Sequence, residues 1–227
     1  MAGNCLVCWA ASVPNPPKVI PRFPVYLFDV DGTLVDSAPD ICAAVQSVLH
    51  SRGRCDVPDD VLRSYIGKHL DDTWRDLGFP EPEWAPMLLE YRQIYAGRGH
   101  KLTRPYEGAA EGLARLNSAR KSTATTKGTP TTRIVLEMFG MIGHFDHVQG
   151  TDGFPAKPEP DVIFKSLEVF GADPRDVLMV GDAESDMAAG RAAGVKVCAV
   201  RYGYGHVENL AKWKPDYWID DLRQLSA

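Results

Sequence analysis

The ten residues Phe28 to Ser37, FDVDGTLVDS, constrain this chain more than any others. Asp29 and Asp31 sit two apart at the end of the apolar run Val25-Tyr26-Leu27-Phe28. That run reads as a short buried strand. Side chains at i and i+2 share a face of an extended segment, so both carboxylates point the same way beyond the strand's C-terminal end. Gly32 follows at once and permits a sharp turn. Two like charges held close cost energy unless a cation or a proton shares the site. The string therefore implies a divalent metal, or two acids with different acid–base duties.

The rest of the chain says where such a strand would lie. After Pro39, apolar residues recur at three–four spacing in Ile41, Ala44, Val45, Val48 and Leu49, and Gly53 is a stop. Further helices are predicted from Asp59 or Asp60 to about Gly67, from Asp71 to Leu77, and after Pro82 through Met87, Leu88, Tyr91 and Tyr95. No strand is predicted in this stretch. Beyond Arg104-Pro105 the rhythm changes to alternating strands and helices. Helices are predicted over 108–119, 130–139, 161–170 and 184–193. Gly194 caps the last of them, and Pro130 opens the second. Strands are predicted over 121–126, 148–150, 177–180, 196–200 and 217–219. Such alternation implies right-handed crossovers and a mostly parallel sheet covered on both faces. Ligands then bind beyond the strands' carboxyl ends.

Three more candidate groups fall at strand ends or loop starts. Thr125, in TATTKGTP, ends a strand and can donate its hydroxyl to a phosphoryl oxygen; Thr126 is the weaker choice for that role. Lys157, in FPAKPEPD, stands before Pro158, which holds it extended ahead of a helix. Asp182 follows the apolar strand Val177 to Val180 in GDAESD, and Asp186 is four residues on. At the entry to a helix both acids can face one side, where the dipole favours them. Glu184 reads only as a helix-start residue.

The strings FDVDGTLVDS, TATTKGTP, FPAKPEPD and GDAESD, in this order, resemble the four motifs of the haloacid dehalogenase (HAD) superfamily in its phosphatase form. Ser122 and Thr123 make the second more polar than the family's pattern. The resemblance spans Val25 to about Leu225. It implies a Rossmann-like, three-layer α/β core over 19–36 and 104–227. The helical stretch 37–103 resembles the inserted cap of the type called C1, and the whole looks like the phosphoglycolate phosphatase branch. Asp29 would then attack phosphorus, and Asp31 would protonate the leaving oxygen. Magnesium would be held by Asp29, the Asp31 backbone carbonyl and Asp182, with Asp186 as a direct or indirect partner. Thr125 and Lys157 would bind phosphoryl oxygens. Gly67 and Lys68 are candidates for a cap loop that reaches the substrate.

Composition narrows the partners. The net charge of −5 is no electrostatic footprint for nucleic acid or anionic membrane. No apolar stretch reaches the ~18–20 residues of a membrane span. Residues 1–18 contain three prolines and no positive run before Leu6, Val7 and Trp9, and read as a flexible leader rather than a secretory signal. Cys5 and Cys8 lack the further ligands a zinc site needs, and five cysteines imply free thiols in a reducing cytoplasm. The expectation is a cytoplasmic monomer or homodimer that hydrolyses a small phosphorylated metabolite, with 2-phosphoglycolate as the candidate the resemblance implies. The alternatives are a phosphomutase of the β-phosphoglucomutase type, a nucleotide or pyrophosphate phosphatase, and a non-catalytic scaffold. Halide displacement is disfavoured because that branch lacks an acid at the Asp31 position. Phosphonate cleavage is disfavoured because it replaces that same acid and uses a cap lysine, for which only Lys68 is available.

Overall fold

A computed structural model describes residues 19–225. The leader, with Cys5 and Cys8, lies outside the described residues. Five strands form one parallel sheet: β1 (Val25–Phe28), β4 (Arg120–Thr123), β5 (Val177–Gly181), β6 (Lys196–Val200) and β7 (Tyr217–Ile219), in the order β4-β1-β5-β6-β7. The two remaining strands, β2 (Val35–Asp36) and β3 (Arg104–Pro105), pair antiparallel in a short ribbon.

The sheet is apolar on both faces, as a parallel sheet covered by crossovers must be. Alternation along β1 sends Tyr26 and Phe28 to one side and Val25 and Leu27 to the other. The first side is covered by Leu113 of α5 (Ala109–Arg115) and by Val135 and Leu136 of α6 (Thr129–Met138). The second is covered by Val162 and Ile163 of α7 (Asp161–Phe170), and by Met187 and Ala189 of α8 (Glu184–Ala193). A last helix, α9 (Val207–Lys212), adds Leu210 to that side.

Between β2 and β3 the chain is helical: α1 (Ala38–His50), α2 (Asp59–Arg63), α3 (Leu70–Asp76) and α4 (Glu81–Arg98). These helices bury their own cluster, with Val45, Val48, Leu49, Leu62, Trp74 and Met87 at its centre. Asp40, in the first turn of α1, ties the way out to the way back. Its carboxylate accepts from the N–H groups of Leu102 and Thr103, both at 2.8 Å, from the Thr103 hydroxyl, and from Arg98. Burial opposes its charge, but these hydrogen bonds hold the Asp40 carboxyl below the ordinary aspartate range.

Several predicted elements are shorter than the sequence implied. The 148–150 segment is no strand; one bridge joins Ser122 and His147 instead. Gln149 there donates its N–H to the Thr123 hydroxyl, which in turn donates to the Gln149 carbonyl, so a side chain replaces the ladder. β4 stops at Thr123, because Ala124 makes the last sheet hydrogen bond, to Phe28. α5 ends at Arg115, well before Ala119. α2 ends at Arg63, short of Gly67. Pro130 lies inside the first turn of α6, after Thr129.

Candidate active site

Parallel strands present all their carboxyl ends at one edge of the sheet. Register aligns Phe28 with Thr123 and with Val180. Asp29, Thr125 and Asp182 lie one or two residues beyond these three, so all start from the same edge although the chain separates them widely. Lys157 arrives on the loop before α7 and is followed by a cis Lys157–Pro158 peptide. Asp182 precedes Ala183, which caps α8, and Asp186 lies in the first turn of that helix.

Asp29, Asp182 and Asp186 can bring one carboxylate oxygen each within 4.8 Å of one another, and all three are buried. One cation stands among them. Lys157 Nζ is 2.9 Å from Asp29 Oδ1 and 2.9 Å from the Ala124 carbonyl, and it also bonds Asp186 Oδ1. Asp186 accepts the Ala183 N–H on its other oxygen at 2.9 Å, so it both caps α8 and anchors the lysine. Asp182 accepts from the Thr33 hydroxyl at 3.0 Å and from the Tyr204 N–H at 2.8 Å.

Three carboxylates against one ammonium leave an excess of negative charge in a dry site. Desolvation pushes the Asp29 carboxyl up to about 6; Lys157 opposes the rise and Asp186 adds to it. Asp182 is raised well above the ordinary range by burial, then by Asp29 and Asp186. Burial opposes the charge on Lys157, but Asp186 and Asp29 together raise its pKa above the usual lysine range. A hard divalent cation takes oxygen ligands and would relieve this repulsion. The donor set of Asp29, Asp182 and Asp186 fits such an ion.

Asp31 keeps different company. Its Oδ1 accepts from the Ser37 hydroxyl at 2.5 Å, and its Oδ2 is 3.0 Å from Lys127 Nζ. The two acids of the first motif therefore leave β1 toward different partners. Asp29 faces the acidic cluster. Asp31 borders a cavity of about 470 Å³ between the sheet edge and the helical insertion. Ile41, Leu62, Tyr91, Tyr95 and Arg92 contribute to its far wall.

Thr125 is 1% exposed, and its hydroxyl accepts the Lys127 N–H at 3.3 Å. Gly67 and Lys68 border the cavity as well. The Gly67 carbonyl accepts from Ser185 of α8 at 2.9 Å, and Lys68 lays its ammonium over the Tyr65 ring. Glu184 bonds the Trp213 indole at 3.2 Å. His147 bonds Gln149 and stands against Phe170; neither it nor His144 lines the cavity.

Sequence reasoning missed Lys127 and Tyr204. Lys127 stands in the TATTKGTP string, where only the threonines are given a role. Tyr204 lies in the string Tyr202 to His206, whose paired glycines carried no recognised motif.

The model of the haloacid dehalogenase-like hydrolases matches residues 26–200. The "Phosphoglycolate phosphatase 1" of Pseudomonas aeruginosa is 34% identical over 217 residues, covering 91% of this chain and 79% of that protein. An "N-acetylmuramic acid 6-phosphate phosphatase" of the same organism is 32% identical, covering 90% and 93%. A predicted phosphatase from Clostridium acetobutylicum superposes with a TM-score of 0.83 at 26% identity, covering 88% of this chain and 94% of that one. Among the described residues no helix is long and apolar enough to cross a membrane. The parallel sheet, the four strings at its carboxyl edge and these likenesses make one conclusion: this chain belongs to the haloacid dehalogenase-like hydrolase family, among its phosphatases.

Proposed function

We propose that this chain is a magnesium-dependent phosphomonoester hydrolase of a small phosphorylated metabolite, with 2-phosphoglycolate as the leading candidate. The observation that carries this reading is the division between Asp29 and Asp31. One carboxylate lies with Lys157 and the acidic cluster, and the other lies at the cavity with Ser37 and Lys127.

Phosphate monoesters hydrolyse extremely slowly without a catalyst, so charge and positioning must supply most of the acceleration. Asp29 attacks phosphorus and carries the phosphoryl group as an aspartyl-phosphate, which splits one hard step into two. Asp31 gives a proton to the leaving oxygen and later takes one from the attacking water. Lys157 and the Thr125 hydroxyl hold phosphoryl oxygens as charge shifts onto them. Asp29 and Asp182 hold magnesium, with Asp186 beside them. When bound, the ion neutralises charge on phosphate and nucleophile.

Residues 37–103 act as a cap on a core made of 19–36 and 104–227. The β2–β3 ribbon is its hinge, and Gly67 and Lys68 lie on the loop that reaches inward. Such a cap excludes water and selects the leaving group. The names of the relatives support phosphoglycolate. The cavity volume and the muramic acid 6-phosphate phosphatase among the relatives support a second reading, a bulkier sugar phosphate.

Phosphate release from a panel decides between them, with magnesium present and Asp29→Asn protein as the blank. The panel holds phosphoglycolate, N-acetylmuramic acid 6-phosphate, other sugar phosphates, nucleotides and pyrophosphate. Preferred cleavage of phosphoglycolate supports the first reading. Cleavage of sugar phosphates or nucleotides alone keeps the chemistry and discards that substrate. No release from any of them moves the reading to a mutase or a scaffold.

A further inference from the structure

Two lysines serve this site, Lys157 buried and Lys127 half-buried, and their surroundings differ. An ammonium has three N–H donors. Lys157 has an oxygen partner for each: Asp29, Asp186 and the Ala124 carbonyl. Among the described residues Lys127 has two, Asp31 Oδ2 at 3.0 Å and the Tyr95 hydroxyl at 2.9 Å. Its Nζ also lies 4.6 Å from the centre of the Tyr95 ring. The side chain is 7% exposed, and the residue lines the cavity between the sheet edge and α4.

Placing an ammonium in so dry a position is costly unless its charge is used. A lysine whose only task was to orient Asp31 would need no opening on the cavity and no donor to spare. Lys127 has both. Its location fixes what it can reach. Asp31 is the acid assigned to the leaving oxygen, and a proton donor must come within about 2.6–3.2 Å of that oxygen. Lys127 Nζ is itself 3.0 Å from Asp31. Atoms two or three bonds beyond the ester oxygen therefore fall within its reach. The transferred phosphoryl group is assigned to Asp29, whose carboxylate bonds Lys157 and not Lys127.

We propose that Lys127 is the residue that reads the leaving group, and that it selects substrates carrying a carboxylate two or three bonds from the ester oxygen. The proposal rests on the hydrolase reading above and deepens it. It names a class of α- and β-phosphooxy acids rather than one compound. Tyr95 holds the ammonium from the cap side, so the same hydroxyl ties recognition to the position of α4.

The test compares pairs of esters that differ by a carboxylate in place of a hydroxymethyl group. The pairs are phosphoglycolate with 2-hydroxyethyl phosphate, and 3-phosphoglycerate with glycerol 3-phosphate. kcat/KM is measured on wild-type protein with magnesium, then on Lys127→Met. One charge-assisted hydrogen bond is worth roughly 10- to 100-fold in discrimination. In at least one pair the wild-type protein should prefer the acid by ~100-fold or more, and Lys127→Met should cut that ratio at least ~10-fold. If circular dichroism shows Lys127→Met unfolded, Lys127→Gln carries the same comparison.

No preference in either pair overturns the proposal. So does a preference that survives loss of the ammonium. Equal losses on both members of a pair would make Lys127 a positioning residue for Asp31, which also overturns it. Preference for 3-phosphoglycerate over phosphoglycolate discards the two-carbon substrate and keeps the inference.

Discussion

Tyr204 donates its backbone N–H to Asp182 Oδ2 at 2.8 Å, and its hydroxyl donates to Asp36 Oδ1 at the same distance. One residue thus touches a carboxylate of the acidic cluster and the ribbon that leads into the helical insertion. The hydroxyl also accepts the N–H groups of Ser37, at 2.8 Å, and Ala38, at 3.0 Å. These belong to the start of α1, where a helix has no carbonyl of its own to offer. The glycines on either side allow the approach. A Cβ at Gly203 would strike the Asp182 side chain, and one at Gly205 would strike its carbonyl oxygen.

Tyr204→Phe removes one donor and the acceptor for two N–H groups. The expected cost is about 1–3 kcal/mol of folding stability. Urea denaturation measures it. An unchanged midpoint would show that water serves the start of α1 equally well.

Gly203→Ala must push Asp182 aside. Magnesium affinity should fall ~10-fold or more, as it does when a partner that orients a metal ligand is lost. Gly97→Ala, in α4, is the control, since a Cβ there meets nothing within 4 Å. It should leave affinity alone. Calorimetric titration with magnesium separates the two, and equal affinity in both variants would contradict the role given to Asp182.

The metal-free protein should lose stability relative to Asp29→Asn as pH rises from about 4 to above 6. The Asp29 carboxyl is pushed up to about 6 from an ordinary 3.8. Between those values the folded state holds more protons than the unfolded one. The stabilising contribution is therefore complete below the lower value and lost as pH climbs through the upper one. Magnesium requires the ionised form, so its effect runs the other way. Thermal melts should show a larger magnesium-induced rise in Tm near pH 7.5 than near pH 5. Equal rises would mean that protons and metal do not compete for this cluster.

Asp29→Asn should lower turnover by ~10³-fold or more on the best substrate, because Asp29 is the carboxylate assigned to take the phosphoryl group and an amide is a far poorer nucleophile. The fold should persist, since the change removes one of three mutually repelling acids. Circular dichroism and a phosphate-release assay check the two halves. Wild-type turnover, with asparagine confirmed by mass spectrometry, would end the case for Asp29 as nucleophile.

His100 offers a separate check on pH. It is 4% exposed, and burial, then the charge of Lys127, lowers its pKa below the ordinary histidine value of 6.5. Its contribution to stability is present above that value and fades as pH falls below it, because the unfolded chain then binds the proton more readily. His100→Phe should flatten the stability profile between about pH 5 and 7, read from urea midpoints across that range. A profile as steep as the wild type's would assign the acid sensitivity to other groups.

The sequence alone determined the alternation of strands and helices, the helical stretch between the first and second motifs, and the set of acids at strand ends. Those features are local. A run such as Val25 to Phe28 declares its burial by its own composition, and a period of two in an extended chain predicts one shared face for Asp29 and Asp31. The strand ends at Phe28, and the structure turns the two acids to different partners, Asp29 to Lys157 and Asp31 to Ser37 and Lys127. Only the tertiary structure decided which partners those acids have. Asp29 and Lys157 are 128 residues apart, and Thr33 and Asp182 are 149 apart; the loops at the carboxyl edge of the sheet bring each pair together. Segment 148–150 was expected as a strand in the alternating rhythm of the core, yet the Thr123 hydroxyl holds it where a ladder would be. Lys127 had no role in the sequence, because no local pattern distinguishes a solvated lysine from one enclosed between Asp31 and Tyr95. The close approach of Tyr204 to Asp182 was illegible for the same reason: a glycine's neighbour across space leaves no trace along the chain.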